Sequence, residues 1–234
     1  MIVMSGTRGS GGTFICSRVG RYGWLTCIRP DKINNPPGKV IEGKTIRTYK
    51  SKTRAFFRLP SKIKRFTDKE LFKVTYKELK HHKLSNKIML FCTRWGGFGY
   101  LTQIEEKPIY VVRNPVFAFN SDSGGGWRIK KGRVEHIKQA GGPIKWAELW
   151  FGEVGLWMAG TQYALDEYKK GKAYVVRYNR FEEDWLKIGK SVPPIYKDFV
   201  CKDEISRVKE KFSIDVIDYI KAKTDSLWEE IEKI

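Results

Sequence analysis

Short apolar runs alternate along the chain with segments whose apolar residues recur every three or four positions. This alternation predicts an α/β fold, a three-layer sandwich with a mainly parallel central sheet. Segment 44–58 also alternates, and is either an edge hairpin or a substrate-side loop. The predicted strands are 1–4, 23–28, 87–92, 108–112 and 173–177. The predicted helices are 11–19, 68–82, one that begins at Asn114-Pro115, 146–170, 181–190 and 213–231.

Local signals support three of these helices. Thr67 and Glu70 are spaced as a capping box ahead of the second helix. Asn114 and Pro115 supply a cap residue and a first-turn proline after a buried strand. The residues that recur at helical spacing in the fourth of the predicted helices are Trp146, Leu149, Trp150, Val154, Trp157, Thr161, Leu165 and Tyr168. This aromatic stripe predicts a core-facing side for one long helix.

A glycine-rich loop follows the first strand. Gly6 to Thr13 match the spacing of a phosphate-binding loop, but Gly12 stands where the ATP-binding lysine belongs. Glycines let the backbone approach an anion, and the following helix presents its positive end. The loop therefore predicts a P-loop type of nucleotide site whose ligand does not need a lysine on its γ-phosphate.

A second candidate motif lies at the end of the fourth predicted strand. Arg113 comes directly after that strand, and Ser121 follows eight positions later. Ligands of open α/β sheets bind beyond the carboxyl ends of the strands, so Arg113 is expected on the same rim as the glycine loop. A guanidinium offers a planar fork for phosphate, and the serine adds a hydroxyl.

In three stretches the chain resembles the sulfotransferases that use 3′-phosphoadenosine 5′-phosphosulfate (PAPS). Segment 8–14 looks like that family's 5′-phosphosulfate loop, and 112–121 is similar to its 3′-phosphate motif. Segment 175–184 looks like its late strand-to-helix segment. The resemblance implies sulfuryl transfer from PAPS to a hydroxyl or amine, without a metal. It also implies the cosubstrate-binding residues Arg8, Gly9, Ser10, Gly11, Gly12, Thr13, Arg113 and Ser121.

The resemblance leaves two positions of the mechanism unusual. The family places a cation immediately before the loop serine, whereas here Gly9 occupies that position and Arg8 stands one residue earlier. Arg8 is therefore the candidate catalytic cation for the leaving oxygen. Arg94 stands where many members have a histidine base, and an arginine cannot act as a base at neutral pH. The candidate bases are therefore His81, His82, His136, Glu105, Glu106, Glu148 and Glu153.

Composition bounds the partners and the compartment. The chain has 234 residues without a linker that divides it, so a single domain over 1–234 is expected. Its formal net charge of +19 attracts polyanions, which include nucleic acid, an anionic acceptor or a charged nucleotide. Four cysteines lack metal-ligand spacing and are expected as reduced core thiols. No long apolar run or secretory signal is recognised, so a cytoplasmic protein without a membrane segment is predicted.

Two alternatives to the sulfotransferase remain open. A P-loop kinase of a nucleotide or small metabolite predicts ATP and magnesium binding, although Gly12 counts against it. A non-catalytic basic module on the same fold would bind nucleic acid or an anionic polymer, and Arg94 in place of the usual histidine favours it.

Overall fold

The structure is a computed structural model of the 234-residue chain. The residues it describes are 2–7, 9–12, 15, 24–27, 46–50, 53–57, 88–92, 106–124, 137–152, 155–189, 203 and 205–234. The backbone alone is described for residue 2, for strands 24–27, 46–50, 53–57 and 88–92, and for residues 122–124 and 156.

The fold is mixed α/β, built on one seven-stranded sheet with the order β4-β3-β2-β5-β1-β6-β7. Five neighbouring strands, from β2 to β7 in that order, pair in parallel. The remaining two, β3 and β4, add antiparallel pairs at one edge. The strands are β1 Ile2–Gly6, β2 Trp24–Cys27, β3 Ile46–Lys50, β4 Thr53–Phe57, β5 Ile88–Cys92, β6 Ile109–Val112 and β7 Tyr174–Arg177.

All five strands predicted from apolar runs are present, within one or two residues of their expected bounds. Within segment 44–58, β3 and β4 pair antiparallel at the sheet edge, with Lys50 opposite Thr53, which agrees with the edge-hairpin alternative. Every described side chain of β6 is buried, as expected for a strand in the interior of a parallel sheet.

The six α-helices with described bounds all come after β6 in the chain, and β7 lies between the third and the fourth of them. They are α1 Pro115–Gly124, α2 Pro143–Phe151, α3 Leu156–Lys169, α4 Phe181–Lys187, α5 Ile205–Lys209 and α6 Ile214–Glu232. The predicted start of α1 is confirmed, because the Val116 amide donates to the Asn114 side-chain oxygen at 3.1 Å. The predicted helix 68–82 lies outside the described residues.

The prediction of one long helix over 146–170 is wrong, because the segment forms the two helices α2 and α3. Gly155 has an extended backbone (φ −64°, ψ 144°), and its amide donates to the Gly152 carbonyl at 2.7 Å. A β-carbon at Gly155 would lie 2.3 Å from the Trp150 carbonyl oxygen. The chain thus turns sharply against the end of α2, and only glycine fits the close backbone approach. Helical spacing continues across the break, which is why the pattern did not show it.

The aromatic stripe lies in the core in part: Trp150, Trp157, Thr161 and Leu165 are buried as predicted, whereas Leu149 and Tyr168 are exposed. Trp150 and Trp157 are 2% and 0% exposed, and Phe151 lies between them with ring centroids at 6.2 and 5.9 Å. Phe119 of α1 packs on the same cluster, 6.1 Å from Trp150 in an edge-to-face arrangement. Aromatic pairs of this kind add to the stabilisation from burial of apolar area. The cluster joins α1, α2 and α3 beside the carboxyl end of β6.

Two buried threonines offer a matched test of polar burial. Thr161 of α3 is 1% exposed, and its hydroxyl has no hydrogen-bond partner among the described residues. Thr224 of α6 is fully buried, but its hydroxyl donates to the Ile220 carbonyl at 2.7 Å. We expect Thr161→Val to leave the free energy of unfolding unchanged or raise it by about 1 kcal/mol, because it removes an unpaired polar group without changing shape. Thr224→Val should lower it by about 1 kcal/mol.

Urea denaturation of both variants and the parent measures the two changes. Because both substitutions insert valine into a helix, the helical propensity cost is common to the pair. A larger loss from Thr161→Val than from Thr224→Val would contradict the assignment of an unpaired hydroxyl to Thr161.

Candidate anion-binding site at the glycine loop

The sheet order places the glycine loop at a point where the chain changes direction across the sheet. β1 lies between β5 and β6, so the chain fills one side of β1 before it crosses to the other. At such a switch point the loops beyond the carboxyl ends of neighbouring strands separate and leave a crevice. The glycine loop leaves β1 and Arg113 leaves β6 at this same edge.

The loop glycines are required by both backbone conformation and close contacts. Gly9 and Gly11 have φ values of +80° and +86°, in the left-handed region that favours glycine. A β-carbon at Gly9 would lie 2.2 Å from the Ala118 carbonyl oxygen of α1. At Gly11 it would lie 2.3 Å from the ring of Tyr178. The loop is therefore held between α1 on one side and Tyr178 on the other.

A helical turn begins at the end of the loop. Gly12 is buried and helical, and the Ile15 amide donates to the Gly11 carbonyl at 3.0 Å. Ser10 is 3% exposed, and its amide donates to the Thr7 carbonyl at 3.1 Å within the loop. The position of the ATP-binding lysine is thus occupied by a buried glycine in the first turn of a helix. Of the helix predicted over 11–19, the structure describes residues 11, 12 and 15, and residues 12 and 15 are helical.

Arg113 connects the strand that carries it to the glycine loop. Its Nη1 donates to the Gly9 carbonyl at 3.1 Å. Its own carbonyl accepts from the Trp157 indole N–H at 3.1 Å, which ties this position to the aromatic core. The sequence-based expectation that Arg113 shares a rim with the loop agrees with these contacts.

The rest of the Arg113 guanidinium is paired with a carboxylate from the C-terminal part of the chain. Its Nε donates to both carboxylate oxygens of Asp203 at 3.1 Å, and its Nη2 donates to Asp203 Oδ1. Both side chains are largely buried, at 12% and 5% exposure. The guanidinium also lies over the Tyr178 ring, 4.3 Å from its centroid, in cation–π geometry.

Sequence reasoning missed Asp203 and the contacts of Tyr178. Tyr178 lies in the late strand-to-helix segment, but no pattern indicated that its ring would pack on both Gly11 and Arg113. Asp203 is separated from Arg113 by 90 positions. A lone acidic residue before a short helix carries no local signal of such a pairing.

The other predicted site residues divide into described and undescribed ones. Ser121 lies in α1, is partly buried and already has an interaction partner within the protein. Arg8 and Thr13, the candidate catalytic cation and the last loop residue, lie outside the described residues. The structure therefore brings together Gly9, Gly11 and Arg113 and leaves the position of Arg8 open.

Two of the candidate bases can be located. Glu106 precedes β6, so it lies at the amino edge of the sheet, away from the loop by roughly the 13 Å length of a four-residue strand. Glu148 of α2 accepts from Lys145 at 3.0 Å on the protein surface. The remaining candidate bases lie outside the described residues, as does Arg94, which occupies the place of the family's histidine; they are His81, His82, His136, Glu105 and Glu153.

A buried tyrosine on β6, opposite Ser5 of β1, does not serve as a base. Tyr110 of β6 is 1% exposed and meets the Tyr163 ring edge-to-face at 6.1 Å. Burial raises the pKa of Tyr110 well above its usual range, and the neighbouring Tyr163 and Glu167 raise it further. The phenol therefore stays protonated at neutral pH.

The third stretch of the resemblance is organised by a buried ion pair. Arg177 ends β7, and Asp184 of α4 accepts from its Nε at 2.9 Å and its Nη2 at 2.6 Å. Asp184 also accepts from the Arg177 backbone amide at 2.7 Å, while Arg177 Nη1 donates to the Glu232 carbonyl at 2.8 Å. Hydrogen bonds to Asp184 raise the pKa of Arg177. This network fixes the strand-to-helix turn that contains Tyr178.

Within the described ranges, no group of three or more histidine, cysteine, aspartate or glutamate side chains is placed to hold a metal ion. None of the helices in the described part of the chain is both long and apolar enough to cross a bilayer. No protein-family model, curated protein or solved structure matches the chain.

Proposed function

We propose that the protein is a PAPS-dependent sulfotransferase of the three-layer P-loop type, with a hydroxyl or amine acceptor. The observation that carries the proposal is the contact between Arg113 and the Gly9 carbonyl. It joins a glycine loop after β1 to an arginine after β6 at the switch point of a parallel sheet. A nucleotide with anions at both its 5′ and 3′ positions suits this pairing of two anion-binding elements.

The loop suits a 5′-phosphosulfate better than an ATP triphosphate. Gly12 is buried in the first helical turn, so the loop offers backbone groups and the helix N-terminus where a kinase would offer a lysine. Gly9 and Gly11 adopt positive φ values that favour glycine, and as glycines they bring no β-carbon into the loop. These features support an anion held by backbone amides without the lysine that grips a β/γ-phosphate.

The proposed roles follow from the chemistry of the transfer. An acceptor oxygen or nitrogen attacks sulfur in line, a new bond to sulfur forms, and the bond to the bridging oxygen of PAPS breaks. Negative charge develops on that oxygen, which leaves with adenosine 3′,5′-bisphosphate. Backbone amides of segment 11–13 and the Arg8 guanidinium would stabilise this charge, and Arg113 with Ser121 would hold the 3′-phosphate.

A ligand screen tests the proposal. We expect adenosine 3′,5′-bisphosphate to raise the thermal midpoint of the protein, whereas ATP with magnesium does not, because a ligand that binds only the folded state stabilises it. Transfer of radiolabelled sulfate from PAPS to a panel of hydroxyl and amine acceptors provides the direct readout. In that assay Arg8→Ala should reduce turnover by about 100-fold or more, the usual cost of removing one donor to a developing charge.

The exposed Arg207 on α5 supplies a control with the same change of charge, and Arg207→Ala should leave turnover unchanged. Stabilisation by ATP with magnesium would support a P-loop kinase instead. Salt-sensitive DNA binding without stabilisation by either nucleotide would support a non-catalytic basic module. Unchanged turnover in Arg8→Ala would remove Arg8 from the mechanism.

A further inference from the structure

Asp203 occupies the position that a bound phosphate would take on Arg113. Its two carboxylate oxygens receive the Nε and Nη2 donors of the guanidinium in a bidentate arrangement. Carboxylate and phosphate present similar pairs of oxygens to an arginine fork, and both form charge-assisted hydrogen bonds. A phosphate that approaches Arg113 therefore meets a guanidinium whose Nε–Nη2 hydrogen-bonding edge is already filled by Asp203.

The remaining contacts of Arg113 leave little room for a second anion. Nη1 is used by the Gly9 carbonyl, and one face of the guanidinium is covered by the Tyr178 ring. A guanidinium has five N–H donors in a fixed plane, and Asp203 fills its Nε–Nη2 edge, so a phosphate that binds this edge must replace the Asp203 contact. The position of the guanidinium itself is held from two sides and would remain in place after Asp203 leaves.

The Arg177–Asp184 pair shows what a purely structural ion pair looks like in this protein. There the carboxylate also binds a backbone amide, the arginine also binds a backbone carbonyl, and the exposures are 1% and 4%. The Arg113 side chain, at 12% exposure, is more accessible than the Arg177 side chain, and it contacts the glycine loop at the Gly9 carbonyl. Asp203 lies two residues before α5, and α5 has only five residues, so this helix has few internal backbone hydrogen bonds.

We propose that Asp203 is an internal competitor for the anion site of Arg113, and that it makes this site selective for a doubly charged phosphate. The inference rests on the proposed function, because it takes the 3′-phosphate as the anion that displaces the carboxylate. A dianionic phosphate interacts more strongly with the guanidinium than a single carboxylate does, whereas a ribose hydroxyl does not compete. Adenosine 5′-phosphate, which lacks the 3′ group, gains nothing from displacement.

Asp203→Asn tests the proposal by removing the competing charge while it keeps the side-chain shape. We expect the variant to bind adenosine 3′,5′-bisphosphate about 10-fold more tightly in titration calorimetry, equivalent to about 1.4 kcal/mol. Its affinity for adenosine 5′-phosphate should not change. Asp218→Asn, at an exposed position of α6, makes the same change of net charge and should leave both affinities unchanged.

Inorganic pyrophosphate separates the failure of this inference from the failure of the proposed function. Equal bisphosphate affinity in the parent and in Asp203→Asn would overturn the competition and leave the sulfotransferase proposal standing. Tighter pyrophosphate binding in the variant, with no bisphosphate binding in either protein, would support the competition and overturn the sulfotransferase. Absence of binding of either ligand to both proteins would overturn both.

A measurement on the unmodified protein covers the case in which Asp203→Asn does not fold. Displacement of Asp203 should loosen the start of α5, so adenosine 3′,5′-bisphosphate should increase amide hydrogen exchange in Ile205–Lys209. The same ligand should decrease exchange around the glycine loop. Slower exchange in both segments would contradict displacement, because it would mean that the ligand binds with the Arg113–Asp203 pair intact.

Discussion

Replacement of Asp184 by alanine should lower the free energy of unfolding by about 3–5 kcal/mol, the usual cost of leaving one partner of a buried ion pair alone. The Arg177 side chain is 1% exposed and would lose its hydrogen-bonded carboxylate, with only the exposed Glu183 left 4.0 Å from its Nη2. The variant also loses the acceptor of the Arg177 backbone amide. A domain is typically stable by about 5–15 kcal/mol, so this single change removes a large part of the total.

Guanidinium or urea denaturation at pH 7 measures the loss, and Glu183→Gln is the matched control. Glu183 is the neighbouring residue on α4. It is exposed, pairs with Lys187 at 2.8 Å and lies 4.0 Å from the Arg177 guanidinium, so it tests an exposed carboxylate beside the same arginine. Salt bridges between exposed side chains contribute little, so the control should leave the denaturation midpoint unchanged. Equal losses from the two variants would show that Asp184 is not the buried partner that fixes this turn.

Gly9→Ala should cost more stability than alanine at any freely exposed glycine with the same backbone conformation. A methyl group at Gly9 would meet the Ala118 carbonyl of α1 at 2.2 Å, and the contact is with backbone that cannot rotate away. We expect a loss of about 2–5 kcal/mol, the sum of a left-handed backbone penalty and the strain of overpacking.

Gly171→Ala isolates the backbone penalty from the steric one. Gly171 has φ +70°, close to the +80° of Gly9, but a β-carbon there would meet no described atom within 4 Å. Its replacement should cost only about 1–2 kcal/mol. Thermal and chemical denaturation of the two variants give the difference directly. If both variants lose the same amount, the loop does not press against α1.

Local patterns in the sequence were sufficient for most of the fold. Apolar runs located β1, β5 and β6, because a strand in the interior of a parallel sheet is apolar on both faces. A shorter run also located β7, which lies at the edge of the sheet. The Asn114-Pro115 cap located the start of α1, because capping depends on adjacent residues alone. The break between α2 and α3 was missed, since Gly155 acts through a close approach to the Trp150 carbonyl that spacing does not reveal.

The candidate site was predictable in part for the same reason. Loop glycines and an arginine after a strand are local features, and the structure brings Gly9 and Arg113 into contact. Asp203 and the packing of Tyr178 depend on how distant segments meet, so no spacing rule could indicate them. Arg8 and Thr13 stay predictions from sequence, because they lie outside the described residues.

The sheet order also bears on how the protein folds during synthesis. β1 leaves the ribosome well before its two partner strands, because Ile2 pairs with Ile88 and Met4 with Ile109. Pairings between such distant segments form slowly, because a long loop must close before they stabilise anything. The nascent chain would therefore carry an apolar, unpaired first strand until β5 and β6 have been made. The glycine loop that follows β1 would be among the last parts of the sheet edge to take shape, and this period of exposure favours chaperone binding.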